Sequence, residues 1–527
     1  MTHSMPRSHA LILVLDYGSQ YTQLITRRFR ELGYYSLILP GNVSLTRIQA
    51  LAPQAIVLSG GPASVYASGA PRLPEGFLNY QLQSGVPVLG ICYGMQLLVK
   101  SLGGSVRQAQ VREYGRMVVC PTSESQFFQA EQAFSAWMSH GDETEKLPPG
   151  FQASALSASG SMAAMENAPR KIFGLQFHPE VTHTENGQSL LSRFLKHWAG
   201  LEPDWSMGSV LQEQIESIRQ KVGPSEHVIC ALSGGVDSAV AATLVHRAIG
   251  DRLHCFFVDH GLLRLDEKNR VMRLFEEQLR LPVQCLDHSE RFLMQLKGVV
   301  DPEQKRKIIG REFIASFELA AAQIASRVGS LPRFLVQGTL YPDVVESSPG
   351  HTHSAMIKSH HNVGGLPEHL RFELIEPFRD LFKDEVRTLG KTLGVPQEFL
   401  KRHPFPGPGL AVRILGEVTS DALDLLRAVD EVFLQAIHEA GLYDSIWQAF
   451  AVYLPIKSVG VQGDGRTHDP VIALRAVSSS DGMTADWYPF DSAFLSQLSS
   501  RICNQVKGVG RVVYDISSKP PATIEWE

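Results

Sequence analysis

This sequence has no surplus of basic residues, no paired cysteines and no long apolar run, and each lack excludes a class of protein. Lysine and arginine number 49 against 54 aspartates and glutamates, a formal net charge of -5. No cationic excess is available to neutralise phosphates, so a general nucleic-acid partner is not expected. The six cysteines, at 92, 120, 230, 255, 285 and 503, are scattered without paired spacing. That argues against a disulfide framework or a zinc ribbon and fits a reducing compartment. No apolar stretch is long enough to span a bilayer. The opening MTHSMPRSHALILVLDYG holds only about six consecutive apolar residues, too few for the apolar region of a signal peptide. The expectation is a cytoplasmic protein with no membrane partner. Repeats and low-complexity segments are also missing. What is present is an ordinary globular composition, 44% hydrophobic and 20% charged, over 527 residues. Single cores stop growing well before that length, so about three domains are expected.

Short apolar, β-rich runs alternate with helical patterns up to about residue 200: LILVLD, QYTQLITRRFRELG, AIVLSGG, VPVLGI, QLLVKSLGG. This rhythm predicts a parallel sheet with crossover helices. Periodicity stops at WAGLEPDWSMGS, residues 198–209. A second series follows with HVICALSGG, VAATLVHRAIG, LHCFFVDHG and RFLVQGT, and the prolines and glycines of HPFPGPGLAVRILG mark another boundary. The last segment reads as one helix over 422–440 and strands at AVYLPIKSVGV, VIALRAV and RVVYDIS. The expected architecture is α/β: two consecutive α/β domains with mainly parallel sheets, then a smaller α+β C-terminal domain. The boundaries drawn are an extension at 1–10, then 11–203, 204–401 and 402–527.

In VLGICYGMQLL, Cys92 stands where an apolar run meets a glycine-flanked helical segment. A thiol at a strand-to-helix turn projects into open space, and a helix N-terminus favours its thiolate. KIFGLQFHPE reads as a strand that ends at His178, and Pro179 keeps the residue before it extended. Residues two apart in an extended chain face the same way. His178 and Glu180 can then serve as base and orienter for a thiol nucleophile. In LSGGP, Gly60 and Gly61 carry no Cβ and can turn N–H groups towards an oxyanion. A cysteine after a strand is most often core, and a His-Pro-Glu is most often a turn. Together, in this order and with the glycine pair, they are far more specific. Over residues 11–200 the chain resembles the class I glutamine amidotransferases, whose motifs match GICYGMQ, QFHPE and SGGP. The resemblance implies that Cys92 attacks the side-chain amide of glutamine, with His178 protonating the leaving ammonia.

ALSGGVDSAVAATLV, residues 231–245, reads as a strand, a glycine turn and a helix. Such a turn aims N–H groups at a phosphate. It is not a Walker A loop, since no Gly-Lys-Ser/Thr follows. Ser233 and Ser238 can donate hydroxyls, and Asp237 can hold Mg²⁺. SGG alone would be a turn that favours small residues. The full SGGVDS after a strand resembles the signature of the N-type ATP pyrophosphatases, which cleave ATP between the α- and β-phosphates and adenylate an oxygen of their substrate. A glutaminase joined to an adenylating domain implies ATP-driven, glutamine-dependent amination, because free ammonia at neutral pH is mostly ammonium.

The acceptor is indicated by resemblance. KRKIIG (305–310), GTLYPDVVES (338–347), KSHHNVGGLPE (358–368), FKDEVR (382–387), HPFPGPGL (403–410), VGVQGDGR (459–466) and SKPPATIEWE (518–527) are similar to the GMP synthase family. That family aminates XMP to GMP, and the likeness covers nearly all the chain beyond the first ten residues. It implies glutamine, ATP and XMP as substrates, Mg²⁺ with the ATP, and a homodimer through the C-terminal domain. By the same resemblance Ser233, Gly234, Gly235, Val236, Asp237, Ser238, Ala239 and Lys383 bind ATP, with the metal at Asp237. Arg306, Gln462, Lys519, Ile524 and Glu525 would surround XMP. One position departs from the family form VDNGLLR: here it is VDHGLLR, with His260, so no role is carried over to that side chain. The histidines at 351, 353, 360 and 361 lack the strand or helix spacing of a zinc site. They read as a segment near the adenylated intermediate. Rivals are an amidotransferase-coupled synthetase for NAD or for a modified tRNA base, disfavoured by the C-terminal motifs and the acidic charge. A catalytically dead nucleotide sensor is disfavoured by the intact Cys–His–Glu set and the intact SGGVDS.

Overall fold

The computed structural model describes residues 9–129, 131–346, 372–462, 465–479 and 484–527, with the backbone alone at 110, 111, 345, 346 and 462. Two compact units are present, one up to Val210 and one from Leu211 onward.

The first unit contains β1 (Leu11–Asp16), α1 (Thr22–Glu31), β2 (Tyr35–Pro40), α2 (Leu45–Leu51), β3 (Ala55–Leu58), α3 (Phe77–Ser84), β4 (Val88–Ile91) and α4 (Tyr93–Ser101). Then come β5 (Ser105–Pro121), β6 (Phe134–Lys146), β7 (Gln152–Ser157), β8 (Met162–Asn167), β9 (Ile172–Leu175) and α5 (Gly187–Arg193). All nine strands form one sheet in the order β2-β1-β3-β4-β9-β8-β7-β5-β6. The β2-β1-β3-β4-β9 half is parallel. Its strands β3, β4 and β9 are buried along their whole length, as expected of strands covered by helices on both faces. The other half is antiparallel. The βα rhythm expected up to residue 200 therefore stops at α4. In its place β6 alternates buried and part-buried residues, the period-two pattern of a sheet with one wetter face.

A helix, α6 (Met207–Val222), leads into the second unit. There β10 (Val228–Leu232), α7 (Val236–Ile249), β11 (Leu253–Asp259), α8 (Glu267–Arg273), β12 (Val283–Asp287), α9 (Ser289–Leu296), α10 (Pro302–Val328), β13 (Phe334–Val336), α11 (Tyr341–Glu346) and β14 (Glu373–Ile375) follow. The five strands make a wholly parallel sheet, β12-β11-β10-β13-β14. Next come α12 (Lys383–Thr392), α13 (Gln397–Leu400), α14 (Ser420–Glu439), β15 (Gln448–Gln462), β16 (Gly465–Ser478), β17 (Asp486–Trp487), α15 (Ser492–Gln505) and β18 (Arg511–Tyr514). β15, β16 and β17 pair antiparallel, while β18 joins β16 in parallel.

The long helix α10 is well specified. Asp301 accepts from the Gln304 N–H, Pro302 takes the first helical position, and Gly329 closes the far end at φ +85°. These are the expected N-cap, N1 and left-handed C-cap choices. One apolar cluster in this unit joins Ile229, Phe256, Phe292 and Phe317 to Leu426, Phe433, Ala449 and Ile472. The core thus runs without interruption across residues 401/402 and serves both sheets. Among the described residues no helix is long and apolar enough to cross a membrane.

Candidate functional site

In the first unit the site grows from the end of β4. That strand ends at Ile91, and the next residue, Cys92, has φ +51° and ψ -107° before α4 begins. This backbone is costly for a non-glycine residue, and its surroundings hold it there. The Cys92 N–H donates to the Leu175 carbonyl over 2.7 Å. A Cβ at Gly90 would come within 2.6 Å of Gly94, and one at Gly94 would strike the Leu58 carbonyl oxygen. The two glycines of GICYG therefore let strand, turn and helix close on each other. The motif was visible in the sequence, but this need was not, because Leu58 lies far off in the chain.

His178 does not lie in a strand. β9 stops at Leu175, where its pairing with Ile91 of β4 also ends, and Pro179 and Glu180 are in a turn. The turn still brings the side chains together: His178 Nδ1 donates to Glu180 Oε1 over 2.7 Å. The His178 N–H is held by the Trp137 carbonyl at 3.0 Å and its carbonyl by the Thr184 hydroxyl at 2.6 Å. The imidazole also hydrogen-bonds the Cys92 side chain. Burial alone would push this imidazole down, but the Glu180 charge and the bonds to Cys92 and Glu180 hold it well above its ordinary value. The Cys92 sulfur lies 3.7 Å from the Ser139 carbonyl oxygen. Gln96, buried one turn along α4, donates to the Asp142 carbonyl at 3.0 Å and to Gln176 Oε1 at 3.3 Å. Gln96 closes the GICYGMQ motif but takes no role from the sequence alone, and Ser139 carries no sequence signal.

The glycine pair lies beside this trio. A Cβ at Gly60 would sit 3.2 Å from His178 Cε1, and one at Gly61 only 2.6 Å from the Tyr17 carbonyl oxygen and 3.4 Å from the Tyr93 ring. Tyr93 opens α4, so its N–H is a first-turn amide with no acceptor inside the helix.

In the second unit, Ser233, Gly234 and Gly235 connect β10 to α7, with Gly234 at φ +75°. Val236, Asp237, Ser238 and Ala239 form the first turn of α7. The two serine hydroxyls are spent mainly on the loop itself. They lie 3.0 Å apart, Ser238 Oγ accepts from the Ser233 N–H at 3.3 Å, and Ser238 Oγ donates to the Gly235 carbonyl at 3.1 Å. Asp237 Oδ1 is buried without a hydrogen-bond partner, and Oδ2 faces Lys383 Nζ at 3.7 Å. The N-cap amide of α12, on Phe382, bonds Glu385 at 2.8 Å, which fixes Lys383 as the first helical residue. Sequence reasoning missed Arg402, which donates to the Gly234 carbonyl at 3.3 Å and pairs with Glu267 at 2.5 Å.

A buried, unbonded carboxylate oxygen beside a loop of helix-terminal amides suits one Mg²⁺ carried in by phosphates. Magnesium is usually held through one or two carboxylates and the substrate. Among the described residues no three His, Cys, Asp or Glu side chains gather into a metal site of their own. His260 is buried against Phe292 and Phe313, its Nδ1 accepts from the Leu262 N–H at 3.1 Å, and burial pushes it down to about 4.

Of the expected XMP residues, Arg306 is on α10, 3.7 Å from Glu303. Lys519 exchanges backbone hydrogen bonds with Ala485 at 2.7 and 3.0 Å. Ile524 packs with Trp526 on the cluster of Phe450, Val452 and Val471. Glu525 takes Arg413 on both oxygens, at 2.9 and 3.1 Å, and Gln448 at 2.6 Å. No hydrogen bond joins Arg306 to Ile524 or Glu525 among the described residues. Gln462 ends β15, and its side chain lies outside the described residues, as do His351, His353, His360, His361 and the stretch 358–368.

Comparison with known proteins bears on both ends of the chain. The family described as Glutamine amidotransferase class-I matches residues 13–198, and GMP synthase C terminal domain matches residues 435–526. The chain is 55% identical to GMP synthase [glutamine-hydrolyzing] of Rhodopseudomonas palustris, covering 98% of this chain and 95% of the relative. It is 55% identical to the protein of that description in Aquifex aeolicus, covering 98% and 99%. The Chlorobium limicola protein is 54% identical, also over 98% and 99%.

Proposed function

This chain belongs to the glutamine-hydrolysing GMP synthase family, and on that premise we propose how its own residues carry out glutamine-dependent GMP synthesis. The observation that carries the reading is the Cys92–His178–Glu180 chain of contacts at a strained turn. Cys92 attacks the side-chain carbonyl of glutamine as a thiolate. In this reading the N–H groups of Gly60 and Gly61 serve the developing oxyanion, joined by the free first-turn N–H of Tyr93. The protonated His178, steadied by Glu180, gives its proton to the departing ammonia, and water then releases glutamate from the thioester.

In the second unit the 233–238 loop cradles the pyrophosphate side of ATP and Lys383 neutralises it. Asp237 is the residue that holds Mg²⁺, and that ion, when bound, offsets charge on the departing pyrophosphate. An oxygen of XMP attacks the α-phosphorus and pyrophosphate leaves. Ammonia then attacks the activated carbon, and AMP departs with the oxygen. Arg306, Gln462, Lys519, Ile524 and Glu525 form the XMP site in this reading. The unpaired lone pair of Glu525 suits a purine N–H. A homodimer through the C-terminal sheet is supported by Ile456, Val459 and Val461, which are 66%, 56% and 75% exposed on β15.

The test separates the two chemistries. Cys92→Ala abolishes amination from glutamine and leaves amination from ammonium salts, read as AMP and GMP formation. Loss of both in a folded protein defeats the reading.

A further inference from the structure

The C-terminal tail is anchored by two buried cations and by an apolar cluster. Along residues 524–527 the contacts alternate. Ile524 and Trp526 lie on the apolar cluster of β15 and β16. Glu525 and Glu527 face the other way, and each meets a cation whose side chain is 0% exposed: Arg413 for Glu525 and Lys305 for Glu527. Residues 524 and 525 lie in a bend, and the contacts hold this short bent tail by its apolar and its charged side chains alike.

Lys305 has three acceptors for its three N–H bonds: the Ile414 carbonyl at 2.6 Å, the Ala411 carbonyl at 3.3 Å and Glu527 Oε2 at 2.6 Å. Burial pushes this ammonium below its ordinary value, and Glu527 is the main group opposing that. The segment between its two carbonyl partners carries Arg413. Lys305, from α10, thus holds the short turn Gly409–Arg413 that carries Arg413, and each of the two cations reaches one glutamate of the tail. Lys305 also immediately precedes Arg306 on α10.

We propose that Lys305 and Glu527 form a positioning pair for XMP. By locking the tail to α10 they set the separation between Arg306 and Glu525, the two residues that meet opposite parts of the nucleotide. The inference rests on the reading of those two as XMP ligands. An apolar contact would keep the tail nearby but is non-directional. A buried ion pair with all its protons satisfied fixes register.

The experiment is amination driven by ammonium salts, so that Cys92 takes no part, with XMP and ATP varied in turn. Glu527→Gln is expected to raise the KM for XMP by about tenfold, the scale of one charge-assisted hydrogen bond. The KM for ATP and kcat at saturating XMP stay within about twofold. If the single variant fails to fold because it strands the Lys305 charge, Lys305→Met/Glu527→Met removes both charges and is read by the same constants. An unchanged KM for XMP overturns the pair, as does an equal rise for ATP with a matching fall in kcat. Glu525→Gln is run in parallel. If it too leaves the XMP requirement unchanged, the reading of Glu525 as a ligand falls instead.

Discussion

A methyl group added at Gly94 would meet the Leu58 carbonyl oxygen, a backbone atom that cannot swing aside. Gly94→Ala is therefore expected to cost about 1–3 kcal/mol, the usual scale of overpacking, and to displace the adjoining turn at Cys92. Thermal melting and glutaminase assay should both fall, while amination from ammonium salts persists. His178 offers a second test. Burial pushes the imidazole down, and the Glu180 carboxylate and the Cys92 side chain together outweigh it and hold the imidazole well above its ordinary value. With the neutral amide of Glu180→Gln, the largest contribution opposing burial is lost and the group gives up its proton at lower pH. The alkaline limb of the glutaminase pH profile should move downward, and superimposable profiles would remove Glu180 from its role. The sign for stability agrees. A raised native value adds stability below the unfolded value and loses it as pH rises through the native one, so the wild type weakens more on the alkaline side than the variant. Cys92, His178 and Glu180 could be read from the sequence because reactive groups need a particular order. Arg413 and Arg475, each fully buried, could not. Their partners, Glu525 for Arg413 and Asp515 with the carbonyls of Ser517, Thr523 and Ile524 for Arg475, all lie far along the chain.

Elements were readable where one period ran long enough. The strand-loop-helix at 228–249 and the helix at 420–439 follow apolar spacing and good end residues. The antiparallel half of the first sheet was not expected, because a half-buried hairpin strand carries polar residues that dilute an apolar run. β9 was drawn too long because QF continues its apolar alternation, whereas the strand ends when β4, its neighbour, turns away at Cys92. Within the 233–238 loop, the serines brace each other, while Asp237 Oδ1 lacks a hydrogen-bond partner and Oδ2 faces Lys383. Asp237→Asn should lower AMP and pyrophosphate formation roughly 100-fold with either nitrogen source, as loss of metal-held charge implies. The Mg²⁺ concentration for half-maximal rate should rise. Unaltered ammonia-dependent turnover at low Mg²⁺ would remove Asp237 from the site.

At the scale of the whole molecule, β15 presents Ile456, Val459 and Val461, which are exposed among the described residues. If the proposed dimer forms through this sheet, Val461→Asp buries an unpaired charge in it. The dissociation constant of the dimer should rise at least about tenfold, measured by light scattering across a dilution series. A monomer in both proteins would discard the dimer. Sequence alone pointed to self-association only by family likeness, since exposure of valine and isoleucine cannot be read from a strand pattern.

The apolar cluster that spans residues 401/402 also bears on how this gene could be cut. A fission there would leave Ile229, Phe256 and Phe317 on one product and Leu426, Phe433 and Ile472 on the other, each half displaying to water the surface that the other was made to cover. Two such polypeptides would have to find one another before either could stay in solution, so that point is closed to separate expression or to exchange of the terminal segment between relatives.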